Sequence, residues 1–279
     1  MTATPLQNSW QHRTPAHPLV DAIPAFNDNY IWLLRAPHGR AVAVVDPGDA
    51  APVEAVLERE GLELSAIVLT HHHPDHTGGV QQLRRRGAVV FGPRGEDIPG
   101  VDRRLGAGER AVLPALGLEL RVIEVPGHTR GHIAYFAERH GSDPRPLLFC
   151  GDTLFAGGCG RVFEGTPAQM LESLARLAAL PPDTLVFCAH EYTLSNLRFA
   201  AAVEPGCAPV AARLAEVESM RAQSLATVPS AIGVELQTKP FLRTARPGVR
   251  AAAAARLGHE PASEVECFAA IREWKNVFR

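Results

Sequence analysis

The chain has 279 residues, of which 46% are hydrophobic, and a formal net charge of −2, so it is long enough to bury the core of one large domain or of two. This near-neutral balance gives no electrostatic case for binding nucleic acid, and no apolar stretch approaches the roughly 20 residues that span a bilayer. The five cysteines are odd in number and lack CxxC spacing, which predicts reduced thiols and a cytoplasmic protein.

Residues 1–17 are rich in Thr, Pro, Gln and His, with a single arginine and no apolar segment. This composition argues against a signal peptide and predicts a disordered N-terminal extension, unless translation starts further along the chain.

From residue 20 to residue 190, short β-rich runs alternate with turns and a few helices. Their composition and turn residues predict strands at 31–34 and 41–45, paired as a hairpin, and at 64–69, 88–91, 118–125, 133–137, 147–150 and 184–189. Helices are predicted from the turn 46–49 to residue 61, at 77–86, and at 166–180, where Thr166 is a good N-cap. After residue 190 the strand signals vanish and helical spacing predominates over 193–203, 208–225, 248–257 and 261–278, which predicts a smaller helical domain.

Five polar residues stand where predicted strands stop. They are Asp46, His71, His128, Asp152 and His190. Each one alone is typical of a turn or a cap. Together they predict a functional site along one edge of a sheet, which is where layered α/β proteins usually bind ligands.

The segment Thr70-His71-His72-His73-Pro74-Asp75-His76 follows the buried-strand pattern directly and contains four imidazoles and a carboxylate. These groups suit zinc, iron or manganese, whereas a structural zinc site would need thiolates. There are more ligands than one metal needs, which indicates two. A solvated histidine tract is the alternative, but a tract of that kind has no strand leading into it.

Lysine is rare in this chain: only Lys239 and Lys275 occur, and every other basic residue except histidine is arginine. A sequence that otherwise uses arginine and keeps lysine at two C-terminal positions can require a compact ammonium at those positions. Lys275 lies three residues after Arg272 on a strongly helical segment, so the two cations share one helix face. A solvated basic patch near a helix C-terminus is the alternative interpretation.

Taken together, the pattern His71-x-His73-x-Asp75-His76 and the later His128, Asp152 and His190 resemble the metallo-β-lactamase superfamily. The segments Gly151-Asp152-Thr153-Leu154-Phe155, Gly158-Cys159-Gly160, Ala189-His190-Glu191-Tyr192-Thr193 and Arg272-x-x-Lys275 narrow the resemblance to glyoxalase II, the hydroxyacylglutathione hydrolases. The resemblance runs from about residue 26 to residue 278 and implies an α/β fold. We therefore expect a metallo-β-lactamase-type αββα sandwich at 18–191 and a smaller all-helical, substrate-binding domain at 192–279.

The resemblance also implies a ligand set for two divalent metal ions, for which zinc is the first expectation and iron or manganese the alternatives. The first ion would be held by His71, His73 and His128, the second by Asp75, His76 and His190, and Asp152 would bridge them. Asp75 and Asp152 are then the expected catalytic carboxylates. His72 should point away and not ligate, and His132 should be a hydrogen-bonding neighbour. Asp46 either orients the histidine segment by hydrogen bonds or only forms its turn.

The expected substrate is a glutathione thioester, attacked by water that the metals activate and cleaved to glutathione and a 2-hydroxy acid such as D-lactate. Arg272 and Lys275 would bind the glycine carboxylate of glutathione, and Arg161 and Tyr192 match other glutathione-contacting positions. Phe163 stands where some members carry Tyr, so a hydroxyl is missing there, and Arg161 replaces a Lys seen in others.

A different enzyme class with a related fold is the alternative: a persulfide dioxygenase, which uses one non-haem iron held by two His and one Asp. The complete set for two metals and the Arg272/Lys275 tail favour the hydrolase, and the intact ligands argue against a protein that only binds metal. We expect a monomer that binds neither nucleic acid nor membrane.

Overall fold

The structure is a computed structural model and describes residues 17–278. Residues 1–16 of the predicted extension therefore lie outside the described residues. His17, its last residue, is fully buried, and its imidazole stacks on that of His140 with ring centroids 6.0 Å apart.

The first of two six-stranded sheets contains the predicted hairpin and the strand that leads into the histidine segment. Its order is β1-β2-β3-β4-β5-β6, with bounds Val20–Ala25, Asn29–Arg35, Ala41–Val45, Glu63–Val68, Val89–Pro93 and Arg103–Leu105. The strands β2 and β3 pair antiparallel, which confirms the predicted hairpin, and β3 to β6 are parallel.

The second sheet brings the other three predicted strand ends together. Its order is β14-β13-β10-β9-β8-β7, and its strands run over Arg110–Leu113 (β7), Leu118–Glu124 (β8), Ile133–Ala137 (β9), Leu147–Gly151 (β10), Leu185–Cys188 (β13) and Ser230–Ala231 (β14). A separate small hairpin, Leu154–Phe155 (β11) with Gly158–Cys159 (β12), follows β10.

The described residues form nine α-helices, five of them after residue 190. Their bounds are Ala50–Glu60 (α1), Pro74–Thr77 (α2), Val80–Leu83 (α3), Pro167–Ala178 (α4), Thr193–Val203 (α5), Ala208–Ala222 (α6), Ile232–Thr238 (α7), Pro247–Leu257 (α8) and Glu264–Val277 (α9). Local sequence defines several ends: Thr166 and Gln169 form a capping box at the start of α4, and Gly61, at φ 62°, ends α1.

Alternating side chains of the first sheet enter two different apolar clusters, as the period of two in a strand requires. Ile31 and Leu33 face Val53 and Leu57 of α1, whereas Trp32 and Leu34 face the second sheet. Further apolar residues of the second sheet, of α4 and of the C-terminal helices join the same inter-sheet cluster. The fold is therefore an αββα sandwich followed by a helical C-terminal region.

Two local predictions differ from the structure. The helix predicted at 77–86 is broken into α2, α3 and a 3₁₀ turn, because Gly78 and Gly79 pack against the turn before α1. A Cβ atom on Gly78 would lie 2.5 Å from the Gly48 carbonyl oxygen, so only glycine allows this approach. The C-terminal region is helical except for β14, which adds a two-residue edge strand to the second sheet.

No helix within residues 17–278 is both long and apolar enough to cross a bilayer. All five cysteines lie among the described residues, and all are free thiols.

Candidate active site

The carboxyl ends of five strands meet at one edge of the sandwich and deliver the polar residues predicted from the sequence. Asp46 follows β3, His71 follows β4, His128 follows β8, Asp152 follows β10 and His190 follows β13. All five side chains are buried. His73, Asp75 and His76 come from the loop after β4 and from α2.

The first group of donor atoms combines three imidazoles with one carboxylate oxygen. His73 Nδ1 lies 3.1 Å from His71 Nε2 and 3.1 Å from His128 Nε2. His128 Nε2 lies 3.4 Å from Asp152 Oδ2. Four donors from three different chain segments thus converge on one point.

The second group uses the other oxygen of Asp152. Asp152 Oδ1 lies 3.4 Å from His76 Nε2 and 3.3 Å from His190 Nε2. Asp75 Oδ2 lies 3.5 Å from each of the same two nitrogen atoms. Asp152 therefore presents one oxygen to each group.

The spacing of these donors and their lack of other partners fit metal ligation. For metal–ligand bonds of about 2.1 Å, neighbouring donors on a tetrahedron lie about 3.4 Å apart. His76 Nε2 and Asp152 Oδ1 are buried and have no hydrogen-bond partner among the described residues. Because orphaned buried polar atoms are costly in an apolar interior, their convergence is expected where an ion satisfies them.

Hydrogen bonds on the far side of the imidazole rings aim Nε2 at the centre of the site. His128 Nδ1 donates to the Arg161 carbonyl oxygen at 2.8 Å, His190 Nδ1 to Asp28 Oδ1 at 2.8 Å, and His76 Nδ1 to Asp46 Oδ2 at 3.1 Å. A proton held on Nδ1 leaves Nε2 as the unprotonated ligand atom.

Asp46 does more than form a turn. Its carboxylate accepts hydrogen bonds from the Thr70 amide at 2.8 Å and the Thr70 hydroxyl at 2.7 Å, besides His76. Its backbone is left-handed, at φ 52°, which is unusual for a residue with a side chain. The geometry favours the interpretation that Asp46 orients the histidine segment.

Asp28 and Asn29 belong to the same site, and the sequence analysis did not single them out. Asn29 Nδ2 donates to Asp75 Oδ2 at 3.1 Å, and Asp28 accepts from His190 Nδ1. Both residues lie where β1 turns into β2, and an Asp-Asn pair at a turn is ordinarily just a turn former. The local sequence does not distinguish this pair from an ordinary turn, because the strand before it, β1, was not predicted.

His72 and His132 contact the site without joining either group of donors described above. His72 Nδ1 lies 3.0 Å from Glu96 Oε2 and its Nε2 lies 3.4 Å from Glu164 Oε1. His132 Nε2 accepts from the Asp152 amide at 3.1 Å, and its ring stacks on His71.

The carboxylates and the imidazoles of the site shift each other's pKa. Although burial opposes ionisation, the charges of His190 and His76 hold the pKa of Asp152 well below its usual range. Burial likewise disfavours the charged form of His190, but Asp152 and Asp28 raise its pKa to about 9. Burial and the neighbouring imidazoles lower the pKa of His71, which therefore stays neutral. Such a mixture of carboxylates and imidazoles attracts a divalent cation, which would replace the protons.

A cleft of about 440 Å³ opens from the donor groups and contains all five residues predicted to bind substrate. It extends from His128 and Asp152 to α9, and the predicted residues that line it are Arg161, Phe163, Tyr192, Arg272 and Lys275. The Phe163 ring is 61% exposed and lies 5.3 Å from that of His128, and the Tyr192 ring stacks on that of His190 at 4.8 Å. A larger cleft of about 620 Å³ lies between β1, α1 and α6 and contains none of the predicted residues.

The two cations on α9 differ in how they are held. Arg272 is only 7% exposed, and its guanidinium donates to the Cys159 carbonyl oxygen at 2.7 Å and to Asn276 Oδ1 at 3.2 Å. Lys275 Nζ donates to the Ser195 carbonyl and hydroxyl oxygens at 3.2 and 2.9 Å. An ammonium has three donors, so within residues 17–278 these contacts use two of them and one N–H of Lys275 remains for a ligand.

Two family models together match almost all of the chain. The model described as "Metallo-beta-lactamase superfamily" matches residues 25–190, and the one described as "Hydroxyacylglutathione hydrolase C-terminus" matches residues 191–278. The hydroxyacylglutathione hydrolases of Pseudomonas entomophila and Cupriavidus taiwanensis are 56% and 55% identical to this chain, over 93% of its length and 99% of theirs. The chain belongs to the hydroxyacylglutathione hydrolase family. The family predicted from the motifs is thereby confirmed.

Two solved structures with lower sequence identity to this chain show the same fold. ETHE1 from Myxococcus xanthus superposes with a TM-score of 0.63 at 23% identity, covering 93% of this chain and 92% of that one. TTHA1623, solved in a di-iron-bound form, superposes with a TM-score of 0.53 at 26% identity and covers 80% of this chain and 99% of its own.

Proposed function

We propose that this protein hydrolyses the thioester of S-(2-hydroxyacyl)glutathione, typically S-D-lactoylglutathione, and releases glutathione and a 2-hydroxy acid such as D-lactate. The observation that carries the proposal is one continuous cleft, which extends from the donor residues His128 and Asp152 to the cations of α9. Relatives that are more than half identical over nearly their full length bear the name of this thioester hydrolase.

The donor groups would hold two divalent ions, and zinc is the metal we propose. His71, His73 and His128 would hold the first, Asp75, His76 and His190 the second, and Asp152 both. Two such ions, when bound, supply hydroxide near neutral pH and polarise a carbonyl oxygen. The di-iron form of TTHA1623 supports a binuclear arrangement and leaves iron as an alternative to zinc.

The residues around the donors hold them in the orientation that ligation requires. Asp46 and Asp28 hold His76 and His190 with Nε2 directed inward. A closely packed backbone lies beneath them: a Cβ atom on Gly160 would lie 1.9 Å from the Asp152 carbonyl oxygen. Because the side chains are held before any ligand arrives, little ordering remains to be done on binding.

The peptide part of glutathione would occupy the outer cleft. Lys275 would bind the glycine carboxylate through its remaining N–H, while Arg272 shapes the cleft floor through Cys159. Tyr192 and Phe163 would contact the thioester end, where both rings pack on ligand histidines. The leaving thiolate has a conjugate acid of pKa about 8.5, so it can depart without a strong general acid.

A persulfide dioxygenase is the rival reaction, and it requires one iron and dioxygen. The second complete group of donors around Asp75 and the cations of α9 support the hydrolase instead. Metal per chain should be measured in the purified protein while thiol release from S-D-lactoylglutathione is followed. We expect two metal ions per chain and metal-dependent thiol release. One iron per chain with oxygen consumption and no thiol release would overturn the proposal.

A further inference from the structure

Lys239, the first of the two lysines in the chain, lies at none of the predicted site positions, although it is fully buried. It is 0% exposed, and Glu235, one helical turn earlier on α7, is 1% exposed. Lys239 Nζ lies 3.1 Å from Glu235 Oε2. A buried ion pair of this kind seldom adds stability, because desolvation offsets the attraction between the charges. Stability alone therefore does not explain why the Lys239–Glu235 ion pair is buried here.

Glu235 reaches out of the helical region and accepts a hydrogen bond from the small hairpin β11–β12. Its Oε2 accepts from the Gly157 amide at 2.8 Å, and its Oε1 accepts from the Ser230 hydroxyl at 2.5 Å. Gly157 is at the tip of the hairpin, with φ 69°. The carboxylate is thus the partner of a backbone amide that no strand pairing satisfies.

The β11–β12 hairpin lies between the candidate metal ligands and the outer part of the cleft. It begins two residues after Asp152, and both Phe155 and Cys159 line the cleft. The Phe155 ring contacts the rings of His190 at 5.7 Å and Tyr192 at 5.2 Å. Any shift of the hairpin would therefore move the part of the cleft wall that Phe155 and Cys159 form.

Three C-terminal helices each hold one backbone group of this hairpin. Asn196 of α5 donates to the Ala156 carbonyl oxygen at 3.1 Å, and Arg272 of α9 donates to the Cys159 carbonyl oxygen at 2.7 Å. Glu235 of α7 provides the third contact and accepts from the tip. Among these contacts it is the only acceptor, and Lys239 balances its charge.

We propose that Glu235 is a positioning residue for substrate binding: it holds the β11–β12 hairpin against the helical region, and Lys239 keeps its buried carboxylate paired. The proposal rests on the proposed function for its kinetic readout only. Loss of the Gly157 contact should loosen the hairpin and raise KM for the glutathione thioester. The metal-type donors are held by other residues, so kcat and metal content should change little.

Three variants separate positioning from stability. The double variant Glu235→Gln with Lys239→Met keeps an acceptor for the Gly157 amide and contains no unpaired charge. The double variant Glu235→Leu with Lys239→Met has similar volume but no acceptor. The single variant Lys239→Met keeps the acceptor and leaves the buried carboxylate unpaired, so its Tm should fall most.

We expect KM for S-D-lactoylglutathione to rise about fivefold or more in the Leu/Met variant, and to stay within about twofold of the parent value in the Gln/Met variant and in Lys239→Met. Amide hydrogen exchange of the peptide spanning residues 154–160 should accelerate only in the Leu/Met variant. Equal KM and equal exchange in both double variants, or a KM that follows Tm across all three, would overturn the inference. If the parent protein releases no thiol, the proposed function fails, and hydrogen exchange still tests the positioning role.

Discussion

Lys275 should lose its charge within the pH range in which the enzyme can be assayed. Burial, followed by the charges of Arg272 and Arg161, lowers the pKa of Lys275 to about 8, compared with about 10.4 for an exposed lysine. Only the protonated form attracts the glycine carboxylate of glutathione. Binding is therefore strongest below pH 8 and weakens as the pH rises through this value.

The size of the effect follows from the pKa. With a pKa of about 8, roughly nine-tenths of the Lys275 side chains are protonated at pH 7 and roughly one-tenth at pH 9. Because kcat/KM reports the ionisation of the free enzyme, it should fall about tenfold between these two pH values. A lysine with an unshifted pKa would lose only a few per cent of its charge over the same range.

Initial rates of thiol release, corrected for spontaneous hydrolysis of the thioester, measure this profile between pH 6.5 and 9.5. Lys275→Arg is the matched control, since arginine stays charged throughout and its profile should be nearly flat above pH 7. Any titration of the substrate affects both proteins equally. If kcat/KM of the parent stays constant to pH 9, or if both proteins decline together, Lys275 is not the group that binds the carboxylate.

Three substitutions test the other contacts. Lys275→Ala should raise KM about tenfold or more and leave kcat within about twofold, because it removes binding that the ground state and the transition state share. Asp46→Ala leaves His76 Nδ1 and two further donors without their acceptor, so it should lower the free energy of unfolding by about 3 kcal/mol and weaken metal binding about 10-fold to 100-fold. Asn29→Ala frees Asp75 Oδ2, and dialysis should then reduce the metal content from two ions per chain toward one.

Each of these substitutions has its own control. For Lys275→Ala, an unchanged KM would return the residue to the solvated-patch interpretation. For Asp46→Ala, urea unfolding and metal titration are compared with Asp46→Asn, which keeps one acceptor; equal losses in both variants would contradict the hydrogen-bonding role. For Asn29→Ala, metal analysis that still finds two ions after dialysis would show that Asp75 needs no such support.

Predictions that depended on local pattern agree well with the structure. The strand at 133–137 and the helix at 193–203 have the predicted bounds, and most other elements differ from their predictions by only a few residues. The helix at 77–86 failed because a contact between glycine backbones, distant in sequence, breaks it. Strand β1 was missed, since Val20–Ala25 contains Asp21 and Pro24 and lacks a clear β-rich run. The short strands β6, β7, β11 and β12 and helix α7 were not predicted either.

The donor residues were predictable because each follows an apolar strand pattern or belongs to the contiguous histidine segment. The expected single sheet edge was wrong, since the strand ends come from two sheets that meet at one edge of the sandwich. Asp28, Asn29 and Glu235 were not predictable, because each acts through a partner at least 46 positions away in the chain. Nothing in the local sequence distinguishes them from an ordinary turn or from an exposed helical carboxylate.

The sequence by itself predicted a donor set suited to two metals, and its motifs pointed to the family to which the chain belongs and, through that family, to the order of the layers. It could do so because ligand chemistry and hydrophobic period are properties of short segments. Only the tertiary structure decided that Asp152 presents one oxygen to each group of donors, that Arg272 donates to the Cys159 carbonyl oxygen and that Lys275 donates to Ser195. It also decided that Lys239 is buried and paired with Glu235, which contacts the hairpin. Those facts depend on distances between segments far apart in the chain, which packing sets and local pattern does not encode.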